Sequence, residues 1–308
     1  MIKNFYKGVA IGFLSIATLE VFNRIVNEKA KKFKLNINEG YYYTWKEGAV
    51  HYNVKGKGPA VLLVHDLSVL SSSHEWKMIE DELAANHTVY SIDLIGCGLS
   101  DKPDITYTAY TFVQLISNFC EEIIKEKCDV IASKDSASII IMTQYMEELF
   151  NKIILINPAM IDKMPLRTTR MKLFEKRLLY TPIFGATIYN CMVTEERIKD
   201  KLEAHIFNAD VVDEITEACY EASHLNHSKG RFLYACKTTS YVSCDITDVL
   251  PKVKNIYLVK GDQQTNYVID EYMSINKNIE VVSISDSSIV PHYENPNETL
   301  IEIKKIID

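Results

Sequence analysis

Val130-Ile131-Ala132-Ser133-Lys134-Asp135-Ser136-Ala137-Ser138 joins an apolar, strand-like run to a helix-like segment over residues 139–150. A strand that passes through a tight turn straight into a helix projects one side chain from the turn, provided that side chain's neighbours are small. Such a turn suits a nucleophile, and two registers are open. Ser136 has Lys134 and Ser138 two residues to either side, whereas Asp135 has the smaller pair Ser133 and Ala137. Size favours Asp135. Strand onset favours Ser136, because Asp129 then falls outside the buried run.

Working outward, residues 41–45, 49–54 and 60–64 are β-prone runs separated by Lys-Glu-Gly and Lys-Gly-Lys-Gly-Pro turns. The third, Ala-Val-Leu-Leu-Val, is apolar throughout, as a strand covered on both faces should be, and it ends in His65-Asp66-Leu67. Residues 76–85 and 111–127 have helical periodicity, and residues 87–93 and 152–156 read as strands. After Asn157 the pattern turns helical until residue 249, and a strand resumes over residues 256–259. Alternating strands and helices predict an α/β fold with a parallel sheet, and ligands of such sheets bind at the carboxyl ends of the strands. His65-Asp66, the Gly96–Ser100 turn, residues 134–136 and Asn157 all fall at such ends.

Four pieces in this order carry a resemblance: Val-His-Asp after one strand, Ile-Asp-Leu-Ile-Gly-Cys-Gly-Leu-Ser-Asp-Lys-Pro after the next, the turn at residues 134–136, then Leu-Ile-Asn-Pro-Ala. With the closing Pro291-His292-Tyr293-Glu294-Asn295-Pro296, the chain from about Tyr41 onward resembles the α/β-hydrolase fold superfamily. More narrowly it is similar to uncharacterised membrane-tethered hydrolase-like proteins of anaerobic Gram-positive bacteria. The resemblance implies a mostly parallel central sheet with helices on both faces. It places the hydrolase core at residues 36–158 and 250–308 and a helical cap at residues 159–249.

The resemblance also implies roles. Ser136 would attack a small or lipid-like ester, the Leu67 and Ala137 amides would form the oxyanion hole, and His292, which falls on the motif's second, usually structural histidine, is the best base left. With Asp135 as nucleophile, the chain would instead be an alkyl hydrolase of the haloalkane dehalogenase or epoxide hydrolase kind. Three positions depart from the pattern: Asp66 stands where glycine is usual, Ile289 occupies the slot of the catalytic histidine, and Gln264 occupies that of the acid. Isoleucine cannot take a proton, so a base would have to come from His292, His65 or His224. The third expectation is therefore a catalytically inactive protein that keeps the pocket and binds a ligand.

A formal charge of -7 over 308 residues argues against a nucleic-acid partner. The seven cysteines are scattered without metal-ligand spacing, so neither a metal nor a cofactor is expected. Lys3 and Lys7 precede an uncharged apolar run that begins at Gly8, and Glu20 follows it. Residues 8–26 therefore read as a membrane anchor, an interfacial helix or a helix packed on the domain, with residues 1–35 as anchor and basic linker. If the segment spans, Arg24, Lys29, Lys31, Lys32 and Lys34 place the main domain on the cytoplasmic side. Residues 163–180 form a second basic, amphipathic stretch, suited either to anionic lipid or to a solvated cap face.

Overall fold

The computed structural model of the chain describes residues 2–35, 39–161 and 168–308, the side chains of residues 2–14 excepted. Its strands are β1 (Tyr41–Trp45), β2 (Gly48–Lys55), β3 (Ala60–Val64), β4 (Thr88–Ile92), β5 (Cys128–Ser133), β6 (Phe150–Ile156), β7 (Ile256–Gly261) and β8 (Glu280–Ile284). They form one sheet in the order β1-β2-β4-β3-β5-β6-β7-β8. β2 is antiparallel to both neighbours, and every other pair is parallel.

The helices are α1 (Ile2–Lys29), α2 (Glu80–Leu83), α3 (Ala109–Phe119), α4 (Ser136–Glu147), α5 (Arg170–Leu179), α6 (Pro182–Met192), α7 (Glu195–Glu203), α8 (Val212–Ser228), α9 (Arg231–Thr238), α10 (Tyr267–Ile275), α11 (Pro291–Glu294) and α12 (Pro296–Ile307). The period-two alternation of the strands sorts them into layers. Leu62, Val64, Val130, Ala132, Ile153 and Leu155 face α3, α4 and α10. Val61, Leu63, Ile131, Ile154 and Ile156 face Trp76, Ile79 and Leu83 on one side and Ile303 and Ile307 of α12 on the other. β3, fully enclosed, explains why its sequence is apolar at every position. Helices α5 to α9 lie between β6 and β7, where the helical insertion was expected.

Some elements differ from the sequence reading. The helix expected over residues 76–85 is a 3-10 turn, Ser73–Trp76, followed by the four-residue α2. The one expected over residues 111–127 ends early, in a π-turn closed by Lys125 at φ 65°. The edge strand β8 was not anticipated, because its exposed Glu-Val-Val-Ser-Ile lacks a buried run.

The Asp93–Ser100 stretch is a structural knot. Asp93 accepts the amides of Ser73 and Leu99 at 2.5 and 2.9 Å and pairs with His51 Nδ1 at 3.0 Å. Gly98 has φ +44°, and a Cβ there would lie 2.5 Å from the Asp93 carboxylate, so glycine is required twice over. Burial opposes ionisation of Asp93, but the His51 bond and charge outweigh it and hold the carboxyl down to about 2. Burial likewise opposes charging His51, and the Asp93 contact overrides it and raises its pKa. The carboxylate's contribution is present above pH ~4, its unfolded value, and lost as pH falls through about 2. The imidazolium's contribution is complete below pH ~6.5 and lost as pH rises through its raised value. Thermal melts from acid to alkaline pH should therefore lose their alkaline decline in His51→Gln; an unchanged profile would reject this assignment.

At the N-terminus, among the described residues no helix is long and apolar enough to cross a membrane. The spanning-anchor reading of residues 8–26 is thus without support, and the cytoplasmic placement that depended on it loses its basis. The described part of α1 instead packs on α6 and α8. The segment after it is tied down by Glu221, whose carboxylate accepts the amides of Phe33, Lys34 and Leu35 at 3.2, 2.8 and 3.1 Å.

Candidate active site

The turn after β5 has the sharp strand-to-helix geometry read from the sequence, with a different residue at its apex. Lys134 has φ +46°, the left-handed value expected of the projecting residue. Its amide donates to Ile156 O at 3.1 Å, and its carbonyl accepts from Ala137 and Ala159 at 3.2 and 3.1 Å. Two residues before and after the apex are Ala132 and Ser136, both small and fully buried.

This register changes what each expected residue can do. Ser136 lies inside, 0% exposed, and its Oγ donates to the His65 carbonyl at 2.6 Å. The Asp135 carboxylate sits one residue past the apex, 2.5 Å from Lys237 Nζ on α9. The Ala137 amide is spent on Lys134 O within the first turn of α4, so it is not aimed at a ligand. The amide that follows the apex belongs to Asp135, and it already donates to Asp66 Oδ1 at 3.2 Å. A carboxylate therefore occupies the position where a substrate oxygen would be held. The carbonyl of Leu67 accepts from Lys237 Nζ.

The three histidines are accounted for elsewhere. His65 Nε2 accepts from the Leu94 amide at 3.0 Å, which leaves Nδ1–H to donate to Asp66 O at 2.7 Å. His224 is enclosed in α8 between Tyr189 and Tyr220, and burial lowers its pKa to about 4. His292 is fully buried against Trp76, with Nε2 3.4 Å from Glu75 Oε1. None of the three lines the cavity beside Lys134. Ile289 does, and so does Gln264, whose Nε2 reaches Ser288 Oγ at 3.4 Å. Two acids that could have oriented His292 are engaged elsewhere: Glu294 accepts four amides, and Asp262 is exposed, accepting from the Ser287 amide at 3.3 Å.

The cavity measures about 420 Å³. Its floor is Lys134, Asp66, Glu75 and Asp135; its walls include Ile269, Ile289 and Tyr293; its roof is Ile198, Leu202, Ile215 and Cys219 of α7 and α8. Lys201 and Lys260 add two amino groups. Burial, with Asp135 and Glu75 nearby, raises the pKa of Asp66 despite the opposing charges of Lys237 and Lys134. Glu75 goes the other way: burial works against ionisation, but the His292 contact outweighs it and holds Glu75 at about 2. Sequence reasoning missed Lys134, Glu75 and Lys237. Lys134 had a signal, the small pair Ala132 and Ser136 around it; Glu75 and Lys237 had none, since only folding brings them to the turn.

The architecture is that of the α/β-hydrolases. Comparison with solved structures shows the likeness along nearly the full chain. A membrane phospholipase A described as a bacterial virulence factor superposes with a TM-score of 0.68 at 18% identity, covering 99% of this chain and 98% of that one. The epoxide hydrolase CorEH gives 0.66 at 15% identity, covering 87% and 98%. The naproxen esterase of Bacillus subtilis gives 0.67 at 16% identity, covering 93% and 98%. At these identities the likeness shows the fold. No protein-family model matches the sequence. Curated relatives are uncharacterized proteins of Mycobacterium bovis and Mycobacterium tuberculosis, 25% identical over 113 residues. The match covers 36% of this chain and 33% of theirs, so it spans about a third of the relatives' length. These relatives lend no support to the narrower resemblance to membrane-tethered proteins of anaerobic Gram-positive bacteria.

Proposed function

We propose that this protein is a ligand-binding member of the α/β-hydrolase fold, one that does not carry out serine-type ester hydrolysis. We read residues 159–249 as its cap, residues 36–158 and 250–308 as its core and residues 1–35 as an arm. The observation that carries the reading is Lys134 at the apex of the turn, with the Asp66 carboxyl filling the oxygen seat beside it. An ammonium is no acyl acceptor while it holds its proton, and Ile289 offers nothing to remove that proton.

The ligand class follows from the lining. Asp135 is neutralised by Lys237 and Asp66 favours its neutral form, and the Lys134 ammonium has no ion-pair partner among the described residues. Lys260 Nζ is held by neutral oxygens, Gln264 O and Asn266 Oδ1, at 3.1 and 2.8 Å. The floor thus favours an anionic head and the walls an apolar body, as in a medium-chain carboxylate. A fluorophosphonate probe should leave the folded protein unlabelled, and nitrophenyl esters of short and long acyl chains should not turn over. Decanoate should raise the melting temperature, by the equivalent of about 2.7 kcal/mol at a hundredfold excess over Kd. Turnover abolished by Ser136→Ala would overturn the reading.

A second reading keeps hydrolysis. Asp66 and Glu75, joined by the Asp66 amide donating to Glu75 Oε2 at 3.0 Å, are pushed in opposite directions on one cavity wall, as acid and base partners often are. A carboxylate held near 2 is a weak base at neutral pH, which is why this reading ranks second. It requires turnover that is insensitive to Ser136→Ala and lost in Glu75→Gln. The Asp135 alkyl-hydrolase reading ranks below both, because its carboxylate is committed to Lys237.

A further inference from the structure

α1 seats a polar group on the protein and leaves large apolar side chains outside. Among residues 15–29 the one fully buried residue is polar: Asn23 donates to Ile183 O and Thr187 Oγ1 of α6 at 3.2 and 3.1 Å and accepts from Asn190 Nδ2 at 2.9 Å. One turn later Asn27 Oδ1 accepts from Ser228 Oγ at 2.5 Å. The same turns leave Val21 55%, Phe22 38% and Ile25 62% exposed, interleaved with the exposed charges of Arg24, Glu28 and Lys29, while Leu19 and Val26 are half-buried. A helix laid on a protein in water turns its large apolar side chains inward. Satisfied amides against the protein, with large apolar side chains exposed among charges on the outside, suit a helix lying at a polar–apolar boundary.

The neighbouring surface says what those surroundings are. α6 adds the exposed Phe184, beside the Ile183 carbonyl that holds Asn23. α5 packs on the same α6 and carries Arg170, Lys172, Lys176 and Arg177 against the single acid Glu175, with Met171 and Phe174 largely exposed among them. In a chain of net charge -7, a cationic, apolar-studded helix that shares α6 with a helix exposing apolar side chains is complementary to phosphate headgroups above acyl chains. A second copy of the chain would bring the same basic helix toward its twin, which like charge opposes.

We propose that the outward apolar side chains of α1, with the basic α5 joined to it through α6, dock the protein on the surface of an anionic lipid bilayer, α1 lying in the plane of the membrane. The inference is independent of what the cavity binds. The sequence just before it, Gly8-Val9-Ala10-Ile11-Gly12-Phe13-Leu14, continues the same apolar composition.

The test uses the full chain with vesicles of phosphatidylcholine alone and vesicles that also contain phosphatidylglycerol. Co-sedimentation should be several-fold stronger with the anionic vesicles and fall with added salt. V21E/I25E should lower it by about tenfold or more with circular dichroism and melting temperature unchanged. K172Q/R177Q should erase only the preference for anionic lipid. Three results would overturn the proposal: no sedimentation with either vesicle, bound protein that alkaline carbonate fails to release (a span instead of a surface helix), or a dimer in light scattering that V21E/I25E splits while vesicles bind nothing. None of these readouts depends on decanoate or on ester turnover, so either proposal can fail alone.

Discussion

Glu294→Ala is expected to cost about 3–5 kcal/mol of stability, a large share of the ~5–15 kcal/mol that holds a domain folded. The carboxylate is mostly buried and accepts four amides. Oε2 takes those of Phe207 and Asn208 at 2.7 and 3.2 Å, and Oε1 takes those of Ser288 and Val290 at 3.0 and 3.1 Å. Bonds from amides to an ionised acceptor are the strong kind, and removing the acceptor leaves buried donors without a partner. Two of these donors flank Ile289 on the cavity wall, and the other two belong to the segment between α7 and α8. The same substitution should therefore loosen the roof as well as the wall, and residues 204–210 should become a site of early proteolysis. Glu294→Gln keeps one acceptor oxygen and should lose roughly half as much. Urea melts with a fixed slope and a shifted midpoint would bear this out; a loss under ~1 kcal/mol for the alanine variant would show that water replaces the carboxylate.

That residue also shows how far a sequence reading reaches. Pro-His-x-Glu-x-Pro was legible as a motif, and the resemblance it carried drew attention to His292. The structure gives the motif's visible work to Glu294, while His292 is buried against Trp76. The layers were legible because burial on both faces leaves β3 an unbroken apolar run and β5 a nearly unbroken one, with helical periods between the strands. β8 was not, since an edge strand needs no apolar run to take its place. The turn was legible as a turn, and the residue that takes its left-handed φ was not, for a chemical reason. Only residues that serve as nucleophiles were considered there, and lysine was counted as a flank. The left-handed φ of Lys134 is a property of the backbone path between Ser133 and α4, and it does not care which side chain the position carries. Contacts such as Asp66 on the Asp135 amide, or Lys237 across from α9, join residues 69 and 102 positions apart, and no local pattern announces them.

Lys134→Met should weaken decanoate binding by about tenfold to a hundredfold, the worth of one charge-assisted contact of ~1.5–3 kcal/mol, while leaving the fold as stable as before. Lys134→Gly should lose the same affinity yet melt higher, by the equivalent of about 1 kcal/mol, because glycine adopts φ +46° without strain. Ser136→Ala should do the reverse. It removes the 2.6 Å bond to the His65 carbonyl inside packed protein, at a cost of ~1–2 kcal/mol, and leaves binding alone, since the hydroxyl never reaches the cavity. The three variants thus separate the two ends of one turn: charge in the cavity at its apex, hydrogen bonding beneath it at the start of α4. Isothermal titration of each variant beside its urea melt reads both quantities at once. If Ser136→Ala lost the ligand and Lys134→Met kept it, the apex would have been assigned to the wrong residue, and the ammonium would have no part in what the cavity holds.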